Sequence, residues 1–248
     1  LTKGLAALAK QRMVEVVQGE GRFTSANSLS VESGSESRTI RFENAIVAVG
    51  SRVVQIPGIP HDDPRVIDST GALELQDIPK RLLVIGGGII GLEMAIVYGA
   101  LGSELTIVEM LDGLIPGCDR DLVKPLERRL KRRYKAKIYL ETKVSGVKAL
   151  KSGLKVTFEG EKAPEPSTFD KVLVSVGRRP NGDLVGAEAA GLAVDERGFM
   201  PVDSQQRTNE AHVFAIGDGS GRPLRALVAA VEGKGAAAVA PGGQCGVA

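Results

Sequence analysis

Aromatic residues and cysteines are scarce in this sequence. Its 248 residues include no tryptophan, three tyrosines, six phenylalanines and two cysteines, Cys118 and Cys245. The cysteines lie far apart and in no metal-ligand spacing, which argues against a disulfide scaffold and gives no reason to expect a bound metal. We interpret both as incidental thiols and expect a reducing, cytoplasmic compartment.

Long apolar runs and an excess of one charge are also lacking. No stretch approaches about 18 consecutive apolar residues, so we expect no membrane-spanning segment. A formal net charge of +2 gives no reason to expect a nucleic-acid partner. The densest basic run, residues 127–137, falls on a predicted amphipathic helix and is interpreted as its solvated face. The sequence does not begin with methionine, and we expect it to be part of a longer protein.

A glycine-rich turn follows a short apolar strand in the stretch RLLVIGGGIIGLEM. Residues 81–85 show no polar alternation, which is typical of a parallel strand buried on both faces. In the pattern Gly86-x-Gly88-x-x-Gly91, the first glycine makes the tight turn and the second lets a pyrophosphate approach the backbone. The third lets the next helix pack on the strand. That helix directs its free N–H groups and positive dipole end at the pyrophosphate, which predicts dinucleotide binding.

The next segment extends the pattern of a dinucleotide-binding unit. The helix is predicted to have apolar residues at helical spacing and Gly102 at its C-terminal cap; the apolar residues are Ile90, Met94, Val97 and Leu101. The second strand, residues 104–110, brings Glu109 to its end. A carboxylate there accepts hydrogen bonds from ribose hydroxyls and repels a 2′-phosphate, and no arginine or lysine follows before Arg120. The pattern favours NAD over NADP.

The following residues predict one more helix and three strands. The helix covers residues 119–134, with Leu122, Leu126 and Leu130 on one face and Pro125 inside it. The strand candidates are residues 137–144, 153–160 and 169–177. Together these elements predict a Rossmann-like domain, a doubly wound parallel sheet with a β-meander.

Two further apolar strands flank this unit. One lies in NAIVAVGSRVVQIPG and ends at Gly50-Ser51, and the other lies in TNEAHVFAIGDGSG and ends at Gly217-Asp218. Both read as buried strands that need a common sheet.

In this order the segments resemble the FAD- and NAD-linked flavoprotein disulfide reductases, in which an NAD domain is inserted into an FAD domain. The stretches that carry the resemblance are LTKGLAALAK, GEGRF, DSTGALEL, RLLVIGGGIIGLEM, LETKV, VGRRPNG, DERGF and HVFAIGD. The resemblance implies an α/β fold with three segments: a partial FAD-binding domain at 1–74, a Rossmann-like NAD domain at 75–182, and a return to the FAD domain at 183–248.

The resemblance also implies which residues hold the cofactors. Glu93 is expected near the nicotinamide, Val144 on the adenine side and Gly177 beside the nicotinamide half, although a valine that ends a strand is also typical of a core. The expected NAD residues are Gly86, Gly87, Gly88, Ile89, Ile90, Gly91, Leu92, Glu93, Glu109, Val144 and Gly177. The expected FAD residues are Gly21, Val49, Gly50, Ser51 and Asp218, the last of them bonded to the ribitol chain.

The activity implied by the resemblance is the oxidation of dihydrolipoamide, with FAD as the flavin and NAD as the acceptor. The implied partners are the lipoyl domain of a 2-oxoacid dehydrogenase complex and a second copy of the protein, because the family is homodimeric. Two alternatives stay open: an NAD-binding fragment without thiol chemistry, and a related NADH-dependent flavoprotein such as an NADH oxidase.

Several parts of the family pattern are missing from these 248 residues. They contain no Cys-x4-Cys redox pair, no second GxGxxG turn for FAD and no C-terminal interface domain with its His–Glu pair. His61 and His212 match neither role and are expected to be structural or exposed. We therefore assign no catalytic residue here and expect the chain alone to be inactive.

Overall fold

The computed structural model describes residues 2–221 and 226–240, which divide between two compact units. One unit comprises residues 1–52 and 179–248, and the other, residues 53–178, is inserted into it in the sequence. Short 3₁₀ turns occur at Gly182–Leu184, Ala187–Ala190 and Gly217–Gly219. The helices and strands, in chain order, are α1 (Thr2–Gln11), β1 (Glu20–Ser25), β2 (Ser28–Ser33), β3 (Glu36–Arg41), β4 (Ala45–Val47), β5 (Ser51–Val53), β6 (Val66–Ile67), α2 (Ser69–Glu74), β7 (Arg81–Ile85), α3 (Ile89–Ala100), β8 (Glu104–Val108), α4 (Arg120–Arg133), β9 (Lys137–Tyr139), β10 (Lys143–Leu150), β11 (Gly153–Glu159), β12 (Ser167–Phe169), β13 (Lys171–Val174), β14 (Arg178–Pro180), β15 (Val213–Ala215) and α5 (Ala226–Val239).

The inserted unit contains a five-stranded parallel sheet in the order β6-β13-β7-β8-β9. Leu82 and Val84 of β7 share a core with helices α2, α3 and α4. Leu83 and Ile85, on the other face, share a core with the antiparallel meander β10-β11-β12. Because both faces are covered, β7 needs an unbroken apolar sequence. The structure confirms the predicted α/β class, a Rossmann-like unit with a β-meander.

Of the apolar residues predicted at helical spacing in α3, Met94 packs against the core, but the most deeply buried side chains are others. Leu92, Ala95 and Tyr98 are the buried side chains, whereas Val97 and Leu101 are 37% and 52% exposed. The helix is apolar on nearly every side, so periodicity alone could not select the face. Tyr98 also donates its hydroxyl to the Ala72 carbonyl, which holds α2 against α3.

The predicted apolar face of α4 is largely confirmed. Leu130 is buried and Leu126 packs against the same core, whereas Leu122 is 73% exposed and Val123 is buried instead. Pro125 lies inside this helix, and the structure offers no functional reason for it.

Two predicted strands are each divided between two sheets. Residues 137–144 contribute β9 to the parallel sheet and β10 to the meander, with a break at Glu141, where φ is +50°. The third candidate, residues 169–177, contains the end of β12 and all of β13, which are separated at Asp170. The backbone amide of Asp170 donates to the Arg81 carbonyl and its carboxylate accepts from the Arg81 amide, so the break is tied to the start of β7.

The other unit combines a meander with a parallel pair. Strands β1, β2 and β3 form the antiparallel meander, and β4 pairs with β15 in parallel register, Ala45 opposite Val213. This pairing confirms the common sheet predicted for the two flanking strands. Their buried residues, including Val47 and Ala215, share a core with Phe23 and Met200.

The inserted unit begins before the predicted domain start at 75. It takes in β6 and α2 because β6 is hydrogen-bonded to β13 of the parallel sheet. The bounds 74/75 and 182/183 stay sequence predictions. Among the described helices, none has the length and apolar character needed to cross a membrane.

Candidate functional site

The glycine-rich turn joins β7 to α3 under close steric limits. Gly86 has φ of +106°, and a Cβ there would lie 2.4 Å from the Ser175 carbonyl oxygen. A Cβ on Gly91 would lie 2.4 Å from the Gly86 carbonyl oxygen and 2.5 Å from Ser175 Oγ, so only glycine lets the helix pack this closely. A Cβ on Gly88 would meet nothing within 4 Å. This open side is where a pyrophosphate would approach the backbone.

Glu109 is placed at the glycine turn by two hydrogen bonds. Its Oε2 accepts from the Gly87 amide at 2.6 Å, and its Oε1 accepts from the Leu111 amide at 2.9 Å. A carboxylate has about four acceptor positions, so both oxygens retain capacity for ribose hydroxyls. Gly87 is confined on its other side, because a Cβ there would lie 2.5 Å from Leu114 Cδ2. The half-buried carboxylate is thus held beside the turn before any ligand arrives.

The first turn of α3 is open at its N-terminus. Gly88 is the N-cap residue and supplies no side-chain cap, and no acidic residue lies in the first turn. A helix of 12 residues with such an end presents unpaired N–H groups and a positive dipole to an anion. Ile89 is 56% exposed and Glu93 is exposed, whereas Leu92 is directed into the core. The residues present therefore fit a dinucleotide pyrophosphate.

Ile90 is half-buried in the first turn of α3, and two other expected NAD residues lie in different surroundings. Gly177 is exposed just after β13, with φ of +130° and open space where a Cβ would lie. Strand β13 runs parallel to β7, so Gly177 and Gly86 follow strands that end at the same edge of the sheet. At that edge the Ser175 amide donates to the Ile85 carbonyl at 2.9 Å. Val144 is only 7% exposed and packs in the core under the meander.

Four of the five expected FAD residues are brought together in the other unit. Strands β4 and β15 are parallel, so their carboxyl ends lie at the same edge. There Ser51 Oγ donates to Asp218 Oδ2 at 2.5 Å, and Val49 and Gly50 precede Ser51 in the same turn. Gly21 lies in a different sheet, in β1, where it pairs with Val31.

Residues 180–183 hold this strand-end turn, and sequence reasoning assigned them no role. Asn181 binds Val49 and Gly50, and Arg52 forms a bidentate pair with Asp183, with both N–O distances 2.9 Å. The Arg52 guanidinium hydrogen bond lowers the pKa of the Asp183 carboxyl from its usual value, with a smaller contribution from Arg179. These residues lie in the stretch VGRRPNG that carried the resemblance, but no local pattern in it indicates a contact 130 positions away.

A second unpredicted contact comes from α5. Glu232 Oε2 accepts from the Gly217 amide at 2.7 Å, which fixes the turn just before Asp218. Glu232 lies in an Ala- and Gly-rich helix, and no pattern in the sequence predicted its contact with Gly217.

Histidines and cysteines form no redox or metal centre in the part of the chain that the structure describes. His61 Nε2 donates to the Ile56 carbonyl at 3.0 Å and His212 Nε2 to the Ala26 carbonyl at 2.8 Å, which supports their structural interpretation. Cys118 is an exposed free thiol, and Cys245 lies outside the described residues. Within the described ranges, no group of three His, Cys, Asp or Glu side chains is placed to hold a metal.

The parallel sheet, the glycine turn, the open helix end and Glu109 define the inserted unit as a dinucleotide-binding unit of the Rossmann type. The chain as a whole can be assigned to a family within this class. It belongs to the pyridine nucleotide-disulphide oxidoreductase family, whose sequence model matches residues 1–233.

Curated relatives and solved structures agree with this family. The chain is 53% identical over 243 residues to a dihydrolipoyl dehydrogenase of Vibrio parahaemolyticus, covering 98% of this chain and 51% of the relative. It is 41% identical over 234 residues to the dihydrolipoyl dehydrogenase of Bacillus subtilis, covering 94% and 50%. The structure of the HOCl-induced flavoprotein disulfide reductase RclA of Escherichia coli superposes with a TM-score of 0.87 at 28% identity, covering 99% of this chain and 55% of the other. The chain thus spans about half the length of the curated relatives it matches.

Proposed function

We propose that the protein oxidises dihydrolipoamide and reduces NAD, with FAD as the intermediate electron carrier. The observation that carries the proposal is the 53% identity, over 98% of this chain, to a protein named dihydrolipoyl dehydrogenase. The geometry is compatible with it, because the inserted unit holds an open helix end and a fixed carboxylate suited to NAD. The other unit groups four of the residues expected at FAD.

The NAD-binding residues under this proposal are those of the glycine turn, Gly86–Leu92, together with Glu93, Glu109 and Gly177. The amides at the start of α3 bind the pyrophosphate, since the helix dipole stabilises negative charge there. The Glu109 carboxylate accepts hydrogen bonds from the adenosine ribose hydroxyls. Val144 belongs to the proposed adenine side only through its backbone, because its side chain is buried.

The FAD-binding residues under this proposal are Val49, Gly50, Ser51 and Asp218, with Gly21 at the periphery. Asp218 accepts a hydrogen bond from a ribitol hydroxyl, and Ser51 orients the carboxylate by donating to Oδ2. The chemistry that FAD supplies when bound is the passage of two electrons between thiols and NAD. The residues of this chain bind and orient; the thiol pair must come from residues other than these 248, which hold no Cys-x4-Cys pair.

The deciding experiment is a steady-state assay on the protein expressed from its complete coding sequence. We expect reduction of NAD that depends on dihydrolipoamide, at rates on the order of 1 to 10³ per second. Oxygen consumption is followed in parallel with NADH alone. Rapid NADH oxidation by oxygen without turnover of dihydrolipoamide would replace the proposal with an NADH oxidase.

The proposed partners are a second copy of the protein and the lipoyl domain of a 2-oxoacid dehydrogenase complex, and the proposed location is the cytoplasm. They are supported by the names of the relatives and by the scarcity of cysteine. Co-purification of the native protein with lipoylated acyltransferase tests the partner. A protein that sediments alone in every fraction would contradict it.

A further inference from the structure

We infer that Asn181 is a positioning residue for FAD, acting through the turn Val49–Arg52, which we call the flavin-side turn. The inference rests on the proposed function, because it takes Gly50, Ser51 and Asp218 as FAD contacts. Asn181 is distinct from the residues assigned to FAD.

Asn181 directs three of its polar groups to the flavin-side turn. Its backbone amide donates to the Gly50 carbonyl at 3.1 Å, and its Nδ2 donates to the Val49 carbonyl at 2.9 Å. Its Oδ1 accepts from Arg52 Nη1 at 3.0 Å. The backbone carbonyl of Asn181 accepts from the Leu184 amide at 3.0 Å, so the residue is itself anchored in a turn.

The flavin-side turn needs such contacts because the chain leaves the β4–β15 ladder there. Gly50 has φ of +63°, a left-handed conformation that takes the Val49 and Gly50 carbonyls out of regular strand pairing. Half-buried carbonyls without partners cost free energy, and Asn181 satisfies both. With two successive peptide planes held, Ser51 Oγ is kept 2.5 Å from Asp218 Oδ2.

The orientation of the Asn181 amide is set by its neighbours. Arg52 has only donors, so the atom that faces its guanidinium must be Oδ1, which leaves Nδ2 for the Val49 carbonyl. Arg52 is fixed in turn by its bidentate pair with Asp183. The segment 180–183 therefore holds the turn at Val49, Gly50 and Arg52.

Asn209 offers a matched control in the same unit. Its Nδ2 donates to the Gly191 carbonyl at 2.7 Å and its Oδ1 accepts from the Ala193 amide at 2.8 Å. Asn209→Ala therefore removes two side-chain hydrogen bonds, as Asn181→Ala does, but at a loop that carries no proposed cofactor contact. Comparing the two variants separates a general loss of stability from a specific effect on FAD.

The experiment uses the protein from its complete coding sequence, freed of flavin and titrated with FAD by fluorescence. We expect Asn181→Ala to raise the FAD Kd at least tenfold relative to Asn209→Ala, which is about 1.4 kcal/mol. Asn181→Asp keeps an acceptor for Arg52 but loses the donor to Val49, so we expect a similar rise. Amide hydrogen exchange of residues 45–54 in the flavin-free protein should accelerate in both Asn181 variants, and the NADH Kd should not change.

The outcomes separate the inference from the function on which it rests. An FAD Kd for Asn181→Ala equal to that of Asn209→Ala, with the wild-type protein binding FAD, overturns the positioning role alone. A wild-type protein that binds no FAD overturns the proposed function and the inference with it. Should Asn181→Ala fail to fold, Asn181→Asp decides, and a wild-type FAD Kd in that variant overturns the inference.

Discussion

The carboxylate of Glu109 accepts a hydrogen bond of 2.6 Å from the backbone amide of Gly87. Glu109, just after β8, is therefore held against the glycine turn that follows β7. Its second oxygen accepts from the Leu111 amide, so both carboxylate oxygens are hydrogen-bonded at the edge of the sheet. If the proposed NAD assignment holds, we expect discrimination between nucleotides to depend on this carboxylate.

The first prediction concerns nucleotide preference. We expect NADH to bind at least tenfold more tightly than NADPH, about 1.4 kcal/mol, because Glu109 repels a 2′-phosphate. Glu109→Gln should reduce that ratio, measured by fluorescence titration with both nucleotides. Asp112→Asn, which removes an exposed charge from the following loop, is the control and should leave the ratio unchanged. Equal affinities in the wild-type protein would remove Glu109 from the ribose site.

The second prediction separates two glycines of the same turn. Gly88→Ala should cost less than about 1 kcal/mol of stability, because a Cβ there meets nothing within 4 Å. It should nevertheless weaken NADH binding at least tenfold, about 1.4 kcal/mol, since the methyl group lies where the pyrophosphate approaches. Denaturant unfolding and NADH titration on the same samples measure both effects. An unchanged NADH Kd would mean that the nucleotide does not approach Gly88.

The third prediction concerns the stability of the protein when Gly91 is replaced. A Cβ there would lie 2.4 Å from the Gly86 carbonyl oxygen, so α3 must move away from β7. We expect Gly91→Ala to lower the free energy of unfolding by about 1 to 3 kcal/mol, the usual cost of overpacking. A variant as stable as wild type would show that the helix can shift without penalty, contrary to the packing observed.

The fourth prediction is a pH dependence at Asp63. The Arg65 side-chain hydrogen bond lowers the pKa of Asp63 to about 2 from its usual 3.8. A lowered folded pKa stabilises the protein above pH 4, and that contribution is lost as the pH falls toward 2. Asp63→Asn should cost about 1 kcal/mol at pH 7, after allowance for solvent screening, and the difference from wild type should shrink below pH 4. Asp62→Asn, at an exposed neighbour, serves as the control in denaturant titrations at each pH. A difference that is constant from pH 7 to pH 2 would rule out the Arg65 effect.

The fifth prediction concerns the 248-residue chain by itself. We expect NADH binding but no dihydrolipoamide oxidation when FAD and NAD are supplied, because Cys118 and Cys245 cannot reproduce a Cys-x4-Cys pair. Cys118→Ser should bind NADH as the unaltered chain does. Turnover on the order of 1 per second or faster would require a catalytic thiol pair not recognised in this sequence.

Local sequence was sufficient wherever neighbouring residues carry the whole constraint. The strand Arg81–Ile85, the glycines at 86, 88 and 91, and Glu109 all lie within one βαβ unit, so their spacing specifies the geometry. These features follow from steric and burial requirements that a short stretch expresses completely. The parallel pair β4–β15 was predicted on a different basis, because both strands read as buried and needed a common sheet.

Tertiary structure decided what depends on residues distant in the sequence. The division of residues 137–144 at Glu141 exists because its two halves pair with different strands, which no local pattern records. The buried face of α3 was chosen by its neighbours, since the helix is apolar on nearly every side. Asn181 meets the flavin-side turn only because the chain returns beside β5 after the inserted unit, so hydrogen bonds spanning more than 130 residues became visible only in the folded chain.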